Sequence, residues 1–532
     1  MVKIKEESKQ KFESSLKLLV KTSLIVFVGV FISKVLGYIY RIIIARHYGP
    51  EVYGLFSLAT MILGGIVALC SLGLVDGLSR FIPQYRGKKE YAKISYLFNF
   101  TNKILFVSSM ISAVLLFCLS DFISLNIFHN IELSLFLKIL SFFIPMTVIA
   151  GPFLLAIKGY EYTDVYSFIY NIFQNIVKVL ALLLLILIGF NSSSTIFSFC
   201  LGLLAIFIAS YWFCRYKIPE LFINSDLSKT KKKEIRRSFF SYSLPLLFFG
   251  IVSMIFYWTD SLFLGYFKGA EAVGFYNAAV PIALLLAIMP ELFMQLFFPM
   301  INRYYSIKNF ELIKQLSKQL GKWVFMANFP IFILIFIFPG AAINILFGSQ
   351  YLVAQTALRI LIFGSFIASI AVISNNLLSM AGKSKLVLVD IVFALIINIF
   401  LNIILIPMPT IAGIENSIGV TGAAMATALS IIFLNSLFFI QAKIYLKITP
   451  LRRKMITIFL LGLIPAIALF YIRNIFPSQN IFFVALLGLG FLVIYAGLIL
   501  LSRSLDDNDW GIIKAIWRKI RQSSQYVNFL RR

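Results

Sequence analysis

The sequence is poor in the residues that bind metals, form disulfides and carry exposed charge. Its 532 residues include two histidines and four cysteines, and only 13% are Asp, Glu, Lys or Arg, against about 25% in soluble domains. The cysteines are scattered through apolar segments without CxxC spacing, so we expect them to pack as small apolar side chains: Cys70, Cys118, Cys200 and Cys214. These shortages argue against a zinc site, a disulfide framework and a soluble enzyme.

Long apolar runs take the place of the missing charge. Apolar residues make up 60% of the chain, and the mean hydropathy is +0.92. A helix needs about 20 apolar residues to cross a hydrocarbon core of about 30 Å. We therefore predict an all-α, polytopic membrane protein with about fourteen transmembrane helices. The predicted spans are 20–45, 52–80, 94–120, 134–157, 164–190, 195–215, 238–266, 272–301, 323–347, 352–381, 386–408, 418–442, 455–473 and 480–502.

Basic residues outnumber acidic ones, with 48 Lys and Arg against 22 Asp and Glu and a formal net charge of +26. They concentrate in the loops on one side of the predicted spans. That distribution is typical of a topology signal, not of a nucleic-acid-binding face. We therefore expect a multi-pass protein of the cell membrane with both termini in the cytoplasm and no nucleic-acid partner.

A basic loop after the sixth span separates two halves that share a sequence octet. Gly49-Pro50-Glu51-Val52-Tyr53-Gly54-Leu55-Phe56 recurs 220 residues later as Gly269-Ala270-Glu271-Ala272-Val273-Gly274-Phe275-Tyr276, each time between the first and second spans of a half. Copies separated by six spans keep the same membrane orientation, so the octets indicate parallel repeats, as in transporters. The two octets either meet when an outer gate closes or are simply tight turns.

The repeat predicts two pseudo-symmetric six-helix lobes plus two additional C-terminal helices. The tail after the last span reads as an amphipathic helix that lies on the lipids of the inner leaflet. The predicted segments are 1–19 (cytoplasmic N-terminal segment), 20–215 (first lobe), 216–237 (basic cytoplasmic linker), 238–442 (second lobe), 443–502 (helices thirteen and fourteen) and 503–532 (cytoplasmic amphipathic tail).

The sequence has no complete motif for nucleotide binding, metal binding or catalysis. Ala381-Gly382-Lys383-Ser384 imitates the end of a phosphate-binding loop, but the required glycine five residues earlier is Leu377. The outer loops are short, whereas membrane glycosyltransferases usually need a sizeable external loop for their acidic residues. We predict that the protein is not an enzyme and uses no cofactor and no metal.

Charged residues inside the predicted spans are the candidates for function, because each costs about 2.5–3.5 kcal/mol when it faces lipid. Lys34, Tyr38 and Arg41 share one face of the first span. They form a cationic strip for an anionic substrate, unless Lys34 merely pairs with an interior acid such as Asp260.

Other spans carry polar stripes that either hold helices together or line a cavity. These are Asn171, Gln174, Asn175 and Lys178 in the fifth span, Ser253, Tyr257 and Asp260 in the seventh, Ser365, Ser369 and Asn376 in the tenth, and Asn398 and Asn402 in the eleventh. Their number favours a polar central cavity. We expect Asn175, Lys178 and Tyr257 to contact the substrate, and Asp260 and Glu291 to bind a coupling cation. Asp76 and Arg80 are expected to form a salt bridge.

Two segments near the start resemble polysaccharide-type flippases. They are Ser33-Lys34-Val35-Leu36-Gly37 and Ala45-Arg46-His47-Tyr48-Gly49-Pro50-Glu51-Val52-Tyr53-Gly54. These flippases belong to the multidrug/oligosaccharidyl-lipid/polysaccharide exporter superfamily, which includes the lipid II flippases. In that group a basic residue at the place of Lys34 is thought to contact the lipid-linked pyrophosphate. Lysine keeps the charge but lacks the bidentate geometry of arginine.

The resemblance implies a flippase for a polyprenyl-linked saccharide, working by alternating access of the two lobes. The partners it implies are that lipid-linked substrate, the surrounding membrane lipids and a coupling cation, either H⁺ or Na⁺. Two alternatives stay open. One is a drug/cation antiporter of the same fold, and the other is a non-transporting scaffold for envelope synthesis.

Overall fold

The computed structural model describes residues 2–223, 227–416, 418–475, 481–502 and 505. They are almost entirely helical, because backbone groups inside a bilayer must find their hydrogen bonds within the chain. The helices are α1 Val2–Ser71, α2 Leu74–Gly87, α3 Tyr91–Phe122, α4 Glu132–Gly159, α5 Thr163–Ser167, α6 Gln174–Leu187, α7 Ser194–Lys217, α8 Lys229–Lys268, α9 Ala270–Ala283, α10 Leu285–Ser306, α11 Phe310–Ile337, α12 Pro339–Leu346, α13 Gln355–Met380, α14 Ser384–Leu405, α15 Val420–Gln441, α16 Arg453–Ile475 and α17 Ile481–Leu501. Short π-helices (Ile123–Ile127, Phe168–Phe173, Ala442–Leu446), 3-10 turns (Pro219–Phe222, Ser349–Ala354) and an antiparallel pair of strands (β1 Thr410–Ile411, β2 Ile414–Glu415) complete the described elements.

The described residues contain twelve helical segments long and apolar enough to cross a membrane, or up to thirteen with the bent pair α9–α10. One of the twelve, Gly29–Ser71, has 43 residues, or about 65 Å of helix, which is roughly twice the hydrocarbon thickness. The all-α, polytopic fold is confirmed. The count of fourteen depends on dividing Gly29–Ser71 into two crossings and stays a prediction.

The repeated octets have the same backbone conformation. Gly49 breaks the helical geometry of α1 with φ 81° and ψ −179°, and Gly269 separates α8 from α9 with φ 84° and ψ −179°. This left-handed region strains any residue with a side chain. The two halves therefore share a turn as well as a sequence pattern at this point.

The two turns pack directly against each other. A methyl group on Gly54 would lie 1.7 Å from the carbonyl oxygen of Ala270, and one on Gly274 would lie 2.0 Å from that of Pro50. The contact is reciprocal, as expected for repeats related by a pseudo-two-fold axis. We call this end of the bundle the glycine end and the opposite one, with the lysine-rich segments 88–93, 229–237 and 383–385, the basic end.

Several segments differ from the predicted ones. The span predicted at 272–301 bends by 40° between α9 and α10. The span predicted at 323–347 ends at Ile337, because Pro339 starts a separate helix, α12. Helix α8 begins at Lys229, inside the segment predicted as a basic linker. The predicted amphipathic tail 503–532 lies outside the described residues, apart from residue 505.

Candidate functional site

A cavity of about 560 Å³ opens in the second half between α10, α13 and α15. Its polar lining is Glu291, Ser365, Ser369 and Asn376, so the predicted stripe of the tenth span faces a cavity and not lipid. A smaller pocket of about 100 Å³ shares Ser365 with it and reaches Asp260. Concave, largely apolar pockets with a few polar groups are the usual form of small-ligand sites.

Lys34 of α1 forms an ion pair with Glu291 of α10, across the interface between the two halves. The Nζ–Oε2 distance is 2.6 Å, and the two side chains are 33% and 44% exposed. The interior partner of Lys34 is therefore Glu291 rather than Asp260. A predicted substrate residue and a predicted ion-coupling residue thus lie in direct contact.

An arginine and tyrosine cluster lies one to two turns further along α1. The Arg41 guanidinium contacts the hydroxyl of Tyr53 and interacts electrostatically with those of Tyr38 and Tyr257. Tyr38 donates to the carbonyl of Pro281 at 3.1 Å. The structure therefore brings together three predicted substrate residues. Tyr53 was not predicted, although it lies in the repeated octet.

Lys178 of α6 is buried, with 9% of its surface exposed. Its Nζ lies 4.4 Å from the centroid of the Phe199 ring, and its stem packs where Gly202 leaves room. In the described part of the chain no carboxylate lies within 4 Å of Lys178 or of Arg41. The charge of Arg41 is close enough to repel that of Lys178. These two cations are unpaired in the interior of the first half.

Asn175, which was expected to contact the substrate, makes two hydrogen bonds within the helix bundle. Its Nδ2 donates to Ser33 Oγ at 3.0 Å and to the carbonyl of Asn171 at 2.8 Å. The bond to Ser33 joins α6 to α1 next to Lys34. The geometry favours helix–helix contact over substrate contact for this residue.

Asp260 of α8 is buried and accepts hydrogen bonds from four side chains on three other helices. Tyr276 Oη of α9 lies at 2.6 Å, Asn398 and Asn402 Nδ2 of α14 lie at 3.2 and 2.8 Å, and Thr427 Oγ1 of α15 also donates. Of these partners, Asn398 and Asn402 belong to a predicted stripe. Tyr276 and Thr427 were missed, although Tyr276 ends the second octet.

The Asp260 cage has features suited to a small cation. The Oδ1 atom of Asn402 is buried without a hydrogen-bond partner among the described residues. Carboxylate, amide and hydroxyl oxygens are the ligands of hard cations. Among the described residues, no group of three or more His, Cys, Asp or Glu side chains could hold a metal ion.

The expected salt bridge between Asp76 and Arg80 is wrong. The Arg80 guanidinium lies 4.4 Å from the centroid of the Tyr242 ring, and no ion pair with Asp76 is present in the described region. A cation–π contact to α8 replaces it, because α2 packs closely on that helix. Arg80 therefore joins the halves near the basic end.

Family comparisons agree with this geometry. The family described as "Polysaccharide biosynthesis protein" matches residues 19–305, more than half of the chain, and the family described as "MatE" matches residues 245–404. A membrane protein of Methanocaldococcus jannaschii named as uncharacterized is 24% identical, over 84% of this chain and 88% of its own. The lipid II flippase MurJ of Bacillus subtilis is 21% identical, over 78% of this chain and 80% of its own.

Solved structures show the same fold. The lipid II flippase MurJ in an inward closed conformation gives a TM-score of 0.67 at 17% identity, covering 90% of this chain and 99% of that one. An inward-facing multidrug resistance MATE family transporter of the MOP superfamily gives 0.65 at 13% identity, covering 80% and 98%. At these identities the likeness establishes the architecture alone: an all-helical transporter fold.

Proposed function

The chain belongs to the polysaccharide biosynthesis protein family, and on that basis we propose that it is a membrane flippase for a lipid-linked saccharide precursor. It moves this precursor across the membrane for cell-surface polysaccharide or glycan synthesis, by alternating access of its two halves. The family match and the similarity to a lipid II flippase support this reading. The protein acts as a transporter and not as an enzyme.

The interior cations of the first half support a negatively charged substrate. Arg41 and Lys178 are interior cations of the first half with no carboxylate within ion-pair distance among the described residues. Unpaired charge inside a membrane protein is costly and marks a functional site. A phosphate or pyrophosphate next to the saccharide supplies the missing counter-charge, while the lipid tail stays in the bilayer.

The Lys34–Glu291 ion pair connects substrate binding to the second half. An anionic head group that binds Lys34 competes with Glu291 for the same ammonium group. Released from Lys34, the Glu291 carboxylate becomes free to take a proton or another cation at the large cavity. Because the pair bridges α1 and α10, exchanging its partners changes a contact between the halves.

Asp260 holds the coupling cation, either Na⁺ or H⁺. Its carboxylate, Thr427 Oγ1 and the unpartnered Asn402 Oδ1 are the oxygens that would bind it. The basic end faces the cytoplasm of the cell membrane, so both termini lie inside, as the distribution of Lys and Arg indicates. Membrane lipids surround the bundle, and nucleic acid is not a partner.

A drug/cation antiporter is the second candidate, because the MatE match covers the half that contains Asp260. The unpaired cations of the first half argue against it, since a cationic drug would be repelled there.

Complementation separates these readings. Strains lacking a defined saccharide flippase receive the wild-type gene, Lys34→Ala, Lys34→Arg or Lys103→Ala, the last being a matched interior-span lysine that is exposed on α3. We expect surface polysaccharide with the wild type and Lys103→Ala, partial recovery with Lys34→Arg and none with Lys34→Ala. Drug resistance conferred by Lys34→Ala would reject the flippase, and a wild-type protein that reaches the membrane but fails to restore polysaccharide would support a scaffold.

A further inference from the structure

A second buried carboxylate lies in the second half, near the basic end. Asp390 of α14 is 4% exposed, and its Oδ1 accepts a hydrogen bond of 2.9 Å from Gln441 Nε2 of α15. Its Oδ2 and the Oε1 of Gln441 are buried without a hydrogen-bond partner in the described part of the chain. Two acceptor oxygens of one residue pair therefore lack a donor.

The surroundings of this pair supply no counter-charge. The neighbouring residues on α13, α14 and α15, and just after α15, form an apolar cluster: Leu378, Val387, Ala394, Leu434, Phe438 and Ala442. Lys383, at the start of α14, places its Nζ 4.7 Å from the centroid of the Tyr445 ring. Across the described residues no basic side chain lies within ion-pair distance of Asp390. Buried oxygens without a donor are costly, so such a pair calls for a bound proton, ion or water.

Asp390 lies in line with the Asp260 cage. Asp390, Asn398 and Asn402 are all buried on α14, within an arc of about 120° around the helix. Asp390 is about 12 Å along the helix from Asn398, toward the basic end.

Unpartnered polar atoms continue between the two sites. Ser430 Oγ of α15, one turn from Thr427, is buried and has no partner among the described residues. Of the eleven buried side-chain atoms without a partner in the described chain, four are on α14 and α15: Asp390 Oδ2, Asn402 Oδ1, Ser430 Oγ and Gln441 Oε1. These four atoms lie along one pair of contacting helices, α14 and α15.

We propose that Asp390 and Gln441 form a second station for a small monovalent cation, Na⁺ or H⁺, between the Asp260 cage and the basic end. The proposal rests on the proposed cation-coupling role of the second half. A cation that binds Asp260 passes along the α14–α15 interface, and the carboxylate of Asp390 with the amide oxygen of Gln441 holds it on the way. Asn398, which donates to Asp260, is about 12 Å along α14 from Asp390, so the two carboxylates belong to separate stations.

Ion binding to the purified, full-length protein in lipid nanodiscs tests the second station. Equilibrium binding of ²²Na⁺ measures bound sodium, and a potentiometric titration between about pH 5 and 9 counts bound protons. The variants are Asp390→Asn, Gln441→Leu and Asp260→Asn. Asp76→Asn is the control, because it is an exposed aspartate near the basic end of the first half.

We expect Asp390→Asn to remove one bound ion, either Na⁺ or H⁺, and Asp76→Asn to leave the ion count unchanged. Gln441→Leu keeps the carboxylate but loses the amide oxygen, so it should weaken ion binding about tenfold. This variant also tests the proposal if Asp390→Asn does not yield a monodisperse protein.

The two proposals fail separately in this experiment. If neither the sodium count nor the proton count changes in Asp390→Asn and Gln441→Leu, the pair is a structural hydrogen bond or holds only water, and the second station is rejected. If Asp260→Asn changes nothing while Asp390→Asn removes an ion, the cation role of Asp260 is rejected and the site at Asp390 stands alone.

Discussion

Tyr40 and Asp260 occupy matched places in the two halves. They are 220 residues apart, and each lies in the first predicted span of its half. Tyr40 lies 5.7 Å from Phe56, ring to ring, and donates to the carbonyl of Thr195 at 2.6 Å. Asp260 bonds to Tyr276, which matches Phe56, and to Thr427. In both halves the matched residue thus contacts the second and the sixth predicted spans of its own half.

The difference shows what the fold does and does not require. The first half has a tyrosine at this position, so the repeated fold does not need a carboxylate there. The cations are distributed in the opposite sense, since Lys34 and Arg41 are matched by Met254 and Ser261 in the second half. This asymmetry supports the proposal that the first half binds an anion and the second half a cation, on one shared scaffold.

The largest expected effect comes from changing the matched pair. Asp260→Asn removes the carboxylate of the proposed cation site, and a contact to a charged group is worth up to about 3 kcal/mol, which corresponds to a loss of about 100-fold in cation-driven transport. Tyr40→Phe removes hydrogen bonds and no charge, so transport should stay within about twofold. Translocation of a lipid-linked oligosaccharide in proteoliposomes under a sodium or proton gradient measures both. Equal losses in the two variants would contradict the comparison.

The second prediction concerns the two unpaired cations of the first half. Arg41→Ser copies Ser261, and Lys178→Met removes the other unpaired cation while keeping its length. Each charge-assisted contact to a phosphate is worth about 1.5–3 kcal/mol, so each variant should lose about 10- to 100-fold in transport. Lys103→Ala is the control in the same proteoliposome assay. A substrate bound mainly through its sugar would leave both variants active.

The sequence supported the helical fold well, because a bilayer allows few alternatives to apolar helices. It also pointed to Asp260, Asn398 and Asn402, since polar residues at helical spacing inside spans stand out. It could not predict that Glu291 pairs with Lys34, 257 residues away, or that Thr427 reaches Asp260. Those contacts depend on the relative rotation of separate helices, which packing decides. Tyr53 and Tyr276 belong to the repeated octets, but nothing in their spacing distinguishes them from structural tyrosines.

The third prediction concerns the ion pair that joins the two kinds of site. Lys34→Glu or Glu291→Lys alone places like charges together, and should lower stability by about 1 kcal/mol or less, because both side chains are only partly buried. The exchange variant with both changes restores an ion pair, so its melting temperature should recover. Transport should not recover, because α1 then presents a carboxylate to an anionic substrate.

A purely structural ion pair predicts a different result for the exchange variant. In that case melting temperature and transport return together. Measuring both quantities on one preparation therefore separates a structural contact from a substrate contact. The conservative variant Lys34→Arg, which keeps the charge on α1, serves as the control for transport.

The smallest expected effect tests the glycine end, where the matched residues are Arg46 and Tyr266. The Arg46 guanidinium donates to the carbonyls of Asn344, Ile345 and Leu346 at 3.2, 2.5 and 2.9 Å, at the C-terminal end of α12. Tyr266 makes ring contacts with His129 and with its neighbour Phe267, with centroids 6.4 and 5.1 Å apart. Arg46 therefore ties the first half to the second, whereas Tyr266 has no comparable polar bond in the described structure.

Arg46→Ala should loosen the glycine end, and Tyr266→Phe should not. The exposed guanidinium contributes about 1 kcal/mol to the closed state, so its loss should raise the open population about fivefold. Labelling of single cysteines introduced at positions 53 and 273 measures this opening, because Tyr53 and Val273 are both fully buried. The labelling rates should rise together in Arg46→Ala and stay within about twofold in Tyr266→Phe. If both variants label alike, the carbonyl contacts of Arg46 do not hold the halves together, and the reciprocal packing of Gly54 and Gly274 alone closes this end.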